Sequence, residues 1–211
     1  MKIFLLDAAG VLSSMVFGVL VLYFGGEYGV DYLMLLFTFL IFGVLATKYG
    51  SGLKRRMALY EYERGWENVV ANGLVPTLCV IMGFGGGLSG AYIGSLAAVT
   101  ADKFASEIGV LGDKPRMLFG LKEAKKGQSG AVSILGTFAS FDGALVIGIA
   151  SYLLFFGVFD AWGVLLITCI GFFGSFVDSV FGIFEEGGIG TKASTNIICA
   201  ITGAILGHLF L

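Results

Sequence analysis

Charged residues are scarce in this chain of 211 residues: 13% are Asp, Glu, Lys or Arg, whereas 57% are hydrophobic. Soluble domains carry about a quarter charged residues, so the composition argues against a soluble protein and indicates an integral membrane protein. The formal net charge of -2 offers no support for a nucleic-acid partner, which would need a strongly basic surface. Pro-rich, acidic and low-complexity stretches are also missing. We therefore expect a single membrane domain over residues 1–211.

Cysteine and histidine are scarce as well. Cys79, Cys169 and Cys199 lie in apolar stretches without metal-ligand spacing, which predicts neither a disulfide framework nor a zinc site. We expect them to be small packing residues. The one histidine, His208, lies far from the acidic residues, which leaves no Ser-His or Cys-His pair for nucleophilic catalysis.

Long apolar stretches dominate the sequence instead. A helix that crosses a bilayer needs about 20 apolar residues. This length predicts seven spans, near residues 3–24, 32–47, 69–84, 88–111, 131–157, 161–184 and 194–211. Because lipid cannot satisfy free backbone polar groups and no alternating pattern indicates a barrel, we predict an all-α polytopic transmembrane bundle of about seven spans.

The basic residues are concentrated in two segments of this layout. The segments hold ten of the 13 Lys and Arg residues: Lys48, Lys54, Arg55, Arg56 and Arg64 in the first, and Lys114, Arg116, Lys122, Lys125 and Lys126 in the second. Seven spans place both segments on one face with Lys2 and Lys192, while the opposite connections contain acidic residues but no basic ones. The positive-inside rule predicts that this face is cytoplasmic, with the N-terminus inside, in a multi-pass cell-membrane protein.

Glycine is abundant, with 34 residues. Gly86, Gly90 and Gly94 recur every four residues, a pattern that favours close packing of membrane helices. Residues 85–90 also match G-x-G-x-x-G. No strand precedes them, however, so a dinucleotide site, which requires a strand-turn-helix context, is not predicted.

Several ionisable residues fall inside the predicted spans, where one such group costs about 2.5–3.5 kcal/mol. They are Asp7, Asp102, Lys103, Glu107, Asp142 and Asp178. Lys103 and Glu107 have the four-residue spacing of a neutralising helical pair, and Asp102 shares a helix side with Ser106. The isolated aspartates fit proton or sodium relays, helix-helix contacts or ligands of a hard cation such as Mg²⁺, and their spacing does not separate these functions.

The segment 109–130 combines five basic residues with several glycines and Pro115. A plain cytoplasmic loop explains the charges. A phosphate site also fits, because glycines permit close approach of the backbone to an anion and Lys and Arg neutralise phosphate. The other basic segment, residues 48–73, has the bases and aromatics of an interfacial helix at anionic lipid headgroups.

Four segments and a dipeptide together resemble a known family. They are VVANGLVPT (69–77), TADKFASEIGVLGDKPR (100–116), KKGQSGAVSILGTFAS (125–140), GFFGSFVDSVFG (171–182) and Thr195-Asn196. In this order they resemble the small membrane proteins that include plant phytyl-phosphate kinase and its archaeal and animal relatives. The family patterns are A-D-T-x-A-S-E-x-G and G-T-N-G-G-V-S, from which this chain departs at Lys103 and at residues 128–131. The first spans match loosely, through Asp7, Gly10 and Ser13.

The resemblance implies a kinase that transfers the γ-phosphoryl group of a nucleoside triphosphate, CTP by preference, to an isoprenyl monophosphate, with Mg²⁺ as cofactor. More distantly, the chain resembles phytol and dolichol kinases and phosphatidate cytidylyltransferase, which also use CTP. A polyprenol kinase and a CTP-dependent cytidylyltransferase are therefore alternatives. The implied site lies at the cytoplasmic mouth of the bundle, in contact with membrane lipids.

The resemblance also suggests residue roles. Asp102 and Asp178 are the expected Mg²⁺ ligands, with Glu107 and Asp142 as second catalytic candidates or supports. Candidates to orient phosphates or ligands are Asn72, Ser106, Ser129 and Asn196. Candidates to bind the triphosphate or the acceptor phosphate are Lys103, Lys114, Arg116, Lys122, Lys125 and Lys126.

Two functions of other classes compete with an enzyme. Acidic spans and glycine-rich helices also suit an ion-coupled transporter, although the inverted repeat common in transporters is not evident. A non-catalytic scaffold leaves the membrane aspartates unexplained.

Overall fold

A computed structural model describes residues 5–61, 65–83, 89–157 and 159–211. Within these ranges the chain forms seven long α-helices and one short α-helix, together with a 3-10 turn at Gly26–Tyr28 and a π-helical turn at Tyr152–Phe156. Their bounds are α1 (Ala8–Phe24), α2 (Gly29–Lys48), α3 (Ser51–Arg56), α4 (Trp66–Met82), α5 (Ser89–Gly109), α6 (Ile134–Ser151), α7 (Ala161–Glu186) and α8 (Lys192–Phe210). Each long helix overlaps one of the seven predicted spans, and the expected all-α membrane bundle is confirmed.

Length and apolarity distinguish the helices. In the described part of the chain, four helical segments are long and apolar enough to cross a membrane: Gly26–Lys48, Ile134–Phe156, Ala161–Glu186 and Lys192–Phe210. The shorter apolar helices α1 and α4 have 17 residues each. Helix α5 has 21 residues, and its second half contains the charged residues Asp102, Lys103 and Glu107.

Side-chain caps explain where several helices begin. Asp7 accepts a hydrogen bond from the backbone N–H of Gly10 at 2.6 Å, so it precedes the first helix instead of lying inside a span. Ser133 caps α6 and Asp160 caps α7 in the same way. Thr191 and Ser194 form a reciprocal capping box at the start of α8. These caps satisfy N–H groups that have no partner within the helix.

Helix α5 lies at the centre and packs against α6, α7 and α8. Small residues make this close approach possible. A Cβ atom added at Gly94 would overlap the carbonyl oxygen of Gly203 on α8, and one added at Gly90 would lie 2.6 Å from that of Gly207. The predicted packing role is therefore confirmed for Gly90 and Gly94.

The connection between α5 and α6 is more ordered than a plain loop. Strand β1 (Arg116–Met117) pairs antiparallel with β2 (Ala131–Val132). The backbone of Gly130 packs against Gly182 of α7, where an added Cβ would lie 2.6 Å from the Gly130 nitrogen. The hairpin is thus fixed to the same end of the bundle as the basic helix α3.

Some sequence predictions concern residues outside the described ranges. These are Lys2, Arg64, Gly86 and the 85–88 part of the glycine motif.

Candidate functional site

A polar cavity of about 770 Å³ opens at the end of the bundle that carries the basic segments. The C-terminal half of α5, the first turns of α6 and α8, the second half of α7 and the hairpin form its walls. Eight predicted site residues line it: Asp102, Lys103, Ser106, Glu107, Lys126, Ser129, Asp178 and Asn196. The fold therefore joins groups that are almost one hundred residues apart in the sequence.

Asp102 and Asp178 converge in the deep part of this cavity. They come from α5 and α7, and their exposed fractions are 6% and 4%. Both approach one cation: the Lys192 Nζ lies 2.8 Å from Asp178 Oδ2 and 3.8 Å from Asp102 Oδ2. The two carboxylates thus form a pair that shares one ammonium group.

Buried oxygen atoms without a hydrogen-bond partner line the same cavity as this pair. Of five such atoms in the described residues, four belong to cavity-lining side chains: Ser140 Oγ, Asp178 Oδ1, Glu185 Oε2 and Asn196 Oδ1. Buried polar atoms are normally paired, so we expect water or a bound ligand to satisfy these four oxygen atoms.

A hard cation fits this donor set. Mg²⁺ prefers oxygen ligands and usually takes one or two carboxylates, with waters and substrate phosphates completing its shell. The described residues contain no group of three or more His, Cys, Asp or Glu placed to hold a metal. A cation bound there would therefore need further ligands, such as water, besides these carboxylates.

Glu107 belongs to a separate network at the cavity edge. Its carboxylate accepts hydrogen bonds from Thr47 Oγ1 at 2.7 Å and from Lys54 Nζ at 2.9 Å. It also lies 3.1 Å from Lys103 Nζ, as the four-residue spacing predicted. Lys103 makes a second ion pair with Glu61 at 3.0 Å. Glu107 therefore positions Lys103 and fastens α5 to α2 and α3.

The hairpin brings few of its bases to the cavity. Lys126 lines the cavity and lies 3.7 Å from the exposed Asp113. The other four basic candidates are exposed and do not line the cavity: Lys114, Arg116, Lys122 and Lys125. Glu186 at the end of α7 accepts a hydrogen bond from the Ser129 backbone N–H at 3.1 Å, which holds the Ser129 segment beside the cavity.

Two further candidates lie elsewhere. Asn72 is buried in α4 and donates to the backbone oxygen of Asn68 at 2.7 Å. Asn68 lines the cavity, whereas Asn72 does not. Asp142 is exposed on the outer side of α6, away from the cavity.

Sequence reasoning missed three groups at the site, namely Lys192, Ser140 and Glu185. The span layout placed Lys192 on the correct face, but nothing in the local sequence indicated that it reaches Asp102 and Asp178. Lys192 lies three residues before the motif dipeptide Thr195-Asn196, and this proximity is the sequence signal that associates it with the site.

A second cavity is apolar. It forms a groove of about 510 Å³ between α4 and α8, and its lining includes Leu78, Ile201 and Ala204. On each of these helices, a residue nearer the basic end lines the polar cavity: Asn68 on α4 and Asn196 on α8. The groove thus extends from the level of the polar site toward the opposite end of the bundle.

Comparisons with known proteins agree with a membrane protein. The chain is 42% identical over 209 residues to an uncharacterized membrane protein of Methanocaldococcus jannaschii, covering 97% of this chain and 85% of the relative. It is 30% identical over 203 residues to protein PGR of Arabidopsis thaliana, covering 81% and 70%. A third relative, an uncharacterized membrane protein of Synechocystis sp., is 29% identical over 161 residues, covering 72% and 61%.

No solved structure gives a significant match to the chain. The family model described as "Integral membrane protein DUF92" matches residues 1–203, nearly the whole sequence. With this match and the membrane-protein relatives, the chain belongs to the integral membrane protein DUF92 family.

Proposed function

We propose that this protein is a membrane isoprenyl-phosphate kinase. It transfers the γ-phosphoryl group of CTP, or of another nucleoside triphosphate, to a prenyl monophosphate such as phytyl or geranylgeranyl phosphate. The observation that supports this proposal is the convergence of Asp102 and Asp178 with unpaired buried oxygens in a polar cavity at the basic end of the bundle. Phosphoryl transfer depends chiefly on positioning and charge stabilisation, which such a site supplies.

The proposed reaction needs no covalent intermediate with the protein. An oxygen of the acceptor phosphate attacks the γ-phosphorus of CTP and forms a new P–O bond. The bond from the γ-phosphorus to the bridging oxygen breaks, and CDP leaves with the electron pair. Because the acceptor phosphate is already anionic, the site requires no dedicated general base.

The chain's own residues have distinct tasks in this scheme. Asp102 and Asp178 would hold Mg²⁺, which neutralises triphosphate charge when it is bound. Lys103 and Lys126 line the cavity and bind phosphate oxygens. Glu107, which pairs with Lys103 at 3.1 Å, keeps that lysine directed along the cavity wall.

The apolar groove between α4 and α8 supports a lipid acceptor. Ile197 and Ile201 line the groove directly after Asn196, which lines the polar cavity. A prenyl chain in the groove places its phosphate toward the carboxylates and its hydrocarbon within the apolar bundle. The groove extends from Ile197 to Leu209, a rise of about 18 Å along α8.

The cavity faces the cytoplasm in this proposal. The basic residues of α3 and the hairpin surround the cavity end of the bundle, and basic residues remain on the cytoplasmic side of membrane proteins. Nucleotide then reaches the site from the cytoplasm, while the lipid acceptor enters from the membrane.

The direct test is turnover by the purified protein in detergent with Mg²⁺, geranylgeranyl phosphate and each of CTP, ATP, GTP and UTP. We expect prenyl diphosphate to form, and Asp102→Asn to reduce turnover by at least about 100-fold because a proposed metal ligand is lost. Asp31→Asn, at the opposite end of the bundle, should retain activity. Folded protein that forms no product with any nucleotide or prenyl chain length overturns the proposal. Release of pyrophosphate instead of CDP would assign a cytidylyltransferase.

A further inference from the structure

Lys192 lies where the dipole of its own helix disfavours a positive charge. It is the first residue of α8, where the helix dipole favours negative groups and disfavours a cation. Its side chain is 46% exposed, yet the ammonium reaches back to Asp178 at 2.8 Å and Asp102 at 3.8 Å. The aspartates, not the helix, therefore hold the lysine in this position.

One ammonium group does not satisfy the oxygens that surround it. Lys192 donates to Asp178 Oδ2, whereas no N–H or hydroxyl group of the described residues donates to Asp178 Oδ1 or Asn196 Oδ1. These atoms together with Asp102 are the oxygen ligands that a divalent cation prefers. The ammonium group thus contacts only some of the oxygen atoms around it, whereas a divalent cation would coordinate more of them.

The surroundings of Lys192 allow it to leave. Residues 186–192 are exposed, and Lys192 itself lines the open cavity. The carboxylates, in contrast, are buried on α5 and α7. The lysine side chain can therefore turn toward the open cavity while the aspartates stay fixed.

We propose that Lys192 is a built-in counter-ion of the Asp102–Asp178 pair, displaced by the divalent cation and then used to bind the phosphates that arrive with it. A divalent ion and an ammonium group that share the same two carboxylates repel each other, so occupancy by one disfavours the other. This inference deepens the proposed kinase function in its second part, the phosphate contact. The first part, competition with the metal, holds for any divalent-cation site on this pair.

The test measures metal binding without nucleotide or lipid. Mn²⁺, which shares the oxygen preference of Mg²⁺, is titrated into the purified protein and its free fraction is followed by electron paramagnetic resonance. Removal of the competing charge in Lys192→Gln should tighten Mn²⁺ binding by roughly tenfold, within the usual range for coupled binding. Lys192→Arg retains the charge and should bind Mn²⁺ as weakly as the unmodified protein. Lys48→Gln, an exposed lysine outside the cavity, serves as the matched control.

Steady-state kinetics test the second part of the proposal, the phosphate contact. Lys192→Gln should raise the KM for nucleotide and lower turnover even though it binds the metal more tightly, and Lys192→Arg should restore part of both. Unchanged or weaker Mn²⁺ binding by folded Lys192→Gln overturns the counter-ion proposal. Tighter Mn²⁺ binding in a protein that forms no prenyl diphosphate would support the counter-ion and reject the kinase, so the two failures are distinguishable.

Discussion

At the scale of single residues, Lys54 shows how this chain accommodates a charge in an apolar bundle. The side chain is completely buried, which is rare for lysine unless it is paired. Its ammonium donates to the backbone oxygens of Ala46 and Thr47 at 2.9 and 3.0 Å and to Glu107 at 2.9 Å. The two carbonyls belong to the last turn of α2, where helix carbonyls have no partner within the helix. Lys54 therefore caps α2 and ties it to α5.

Replacement of Lys54 by methionine should destabilise the protein by about 3–5 kcal/mol, because it leaves a buried carboxylate and two carbonyls without their donor. Denaturant unfolding in detergent, followed by tryptophan fluorescence, measures the change. Arg56→Met, two residues away and exposed, should shift the free energy of unfolding by less than about 0.5 kcal/mol. Equal effects of the two substitutions would contradict the capping role of Lys54.

Local spacing predicted one of these ion pairs and not the others. Lys103 and Glu107 lie four residues apart on a helix, so their contact followed from helical geometry. Lys54 and Glu107 are 53 residues apart, and their contact depends on how α3 folds back onto α5. The pairing of Lys192 with Asp102 and Asp178 is likewise a consequence of helix adjacency, which the order of spans does not determine.

At the scale of elements, the contact between α5 and α8 depends on glycine. Gly94 and Gly203 approach so closely that a Cβ on either would overlap the other's backbone oxygen. This contact sets the position of α8, and with it Lys192 and Asn196, relative to Asp102. The predicted glycine spacing identified one side of the contact, whereas the partner helix became evident from the structure.

Gly94→Ala should therefore separate α5 from α8 and destabilise the protein by about 1–3 kcal/mol, the usual cost of overpacking. A lower melting temperature in a thermal unfolding scan checks this expectation. Gly52→Ala is the matched control, because a Cβ at Gly52 meets no atom within 4 Å. A Gly94 variant that melts with the unmodified protein would show that the helices adjust freely.

The apolar groove between α4 and α8 gives a prediction about chain length. Ala204 is 9% exposed and lines the groove, so Ala204→Leu should shorten the space for hydrocarbon. The ratio of kcat/KM for geranylgeranyl phosphate over geranyl phosphate should fall by roughly tenfold, a typical effect of methylene-sized changes in apolar pockets. Leu12→Val on the exposed side of α1 should leave the ratio unchanged. An unchanged ratio in the Ala204 variant would show that the prenyl chain of the substrate does not bind in this groove.

Element boundaries were less predictable than element identity. The apolar stretches revealed the seven long helices, but hydropathy does not detect caps such as Asp7, which begins α1 later than predicted. The hairpin of β1 and β2 was also missed. Its strands have two residues each, too few for a periodic pattern, and they pair across a basic loop that resembles a plain connection.

At the scale of the whole molecule, the distribution of charge distinguishes the two ends of the bundle. The cavity, α3 and the hairpin lie at one end, and the other end carries Glu27, Asp160 and, in the first turn of α2, Asp31. The sequence predicted this asymmetry because successive spans place alternate connections on opposite faces of the bundle, and the basic segments fall on the same face. It did not reveal that only some of the bases point into a cavity.

Orientation is testable with single cysteines in a variant whose three native cysteines are replaced. A membrane-impermeant maleimide should label Glu27→Cys in intact cells and Lys122→Cys only after lysis, because the proposed orientation places the basic end in the cytoplasm. Both positions are exposed, so accessibility within the fold is matched. Labelling of Lys122→Cys in intact cells would contradict the proposed orientation.

The central claim is transfer of a γ-phosphoryl group to a prenyl phosphate, and doubly labelled CTP tests it most directly. CTP carries radioactive phosphorus at the γ position and tritium in the cytosine ring, and it is incubated with the purified protein, Mg²⁺ and geranylgeranyl phosphate. The account predicts that the phosphorus label enters the lipid diphosphate while tritium remains in released CDP. The claim is contradicted if tritium appears in the lipid product, or if folded protein forms no lipid that carries the phosphorus label.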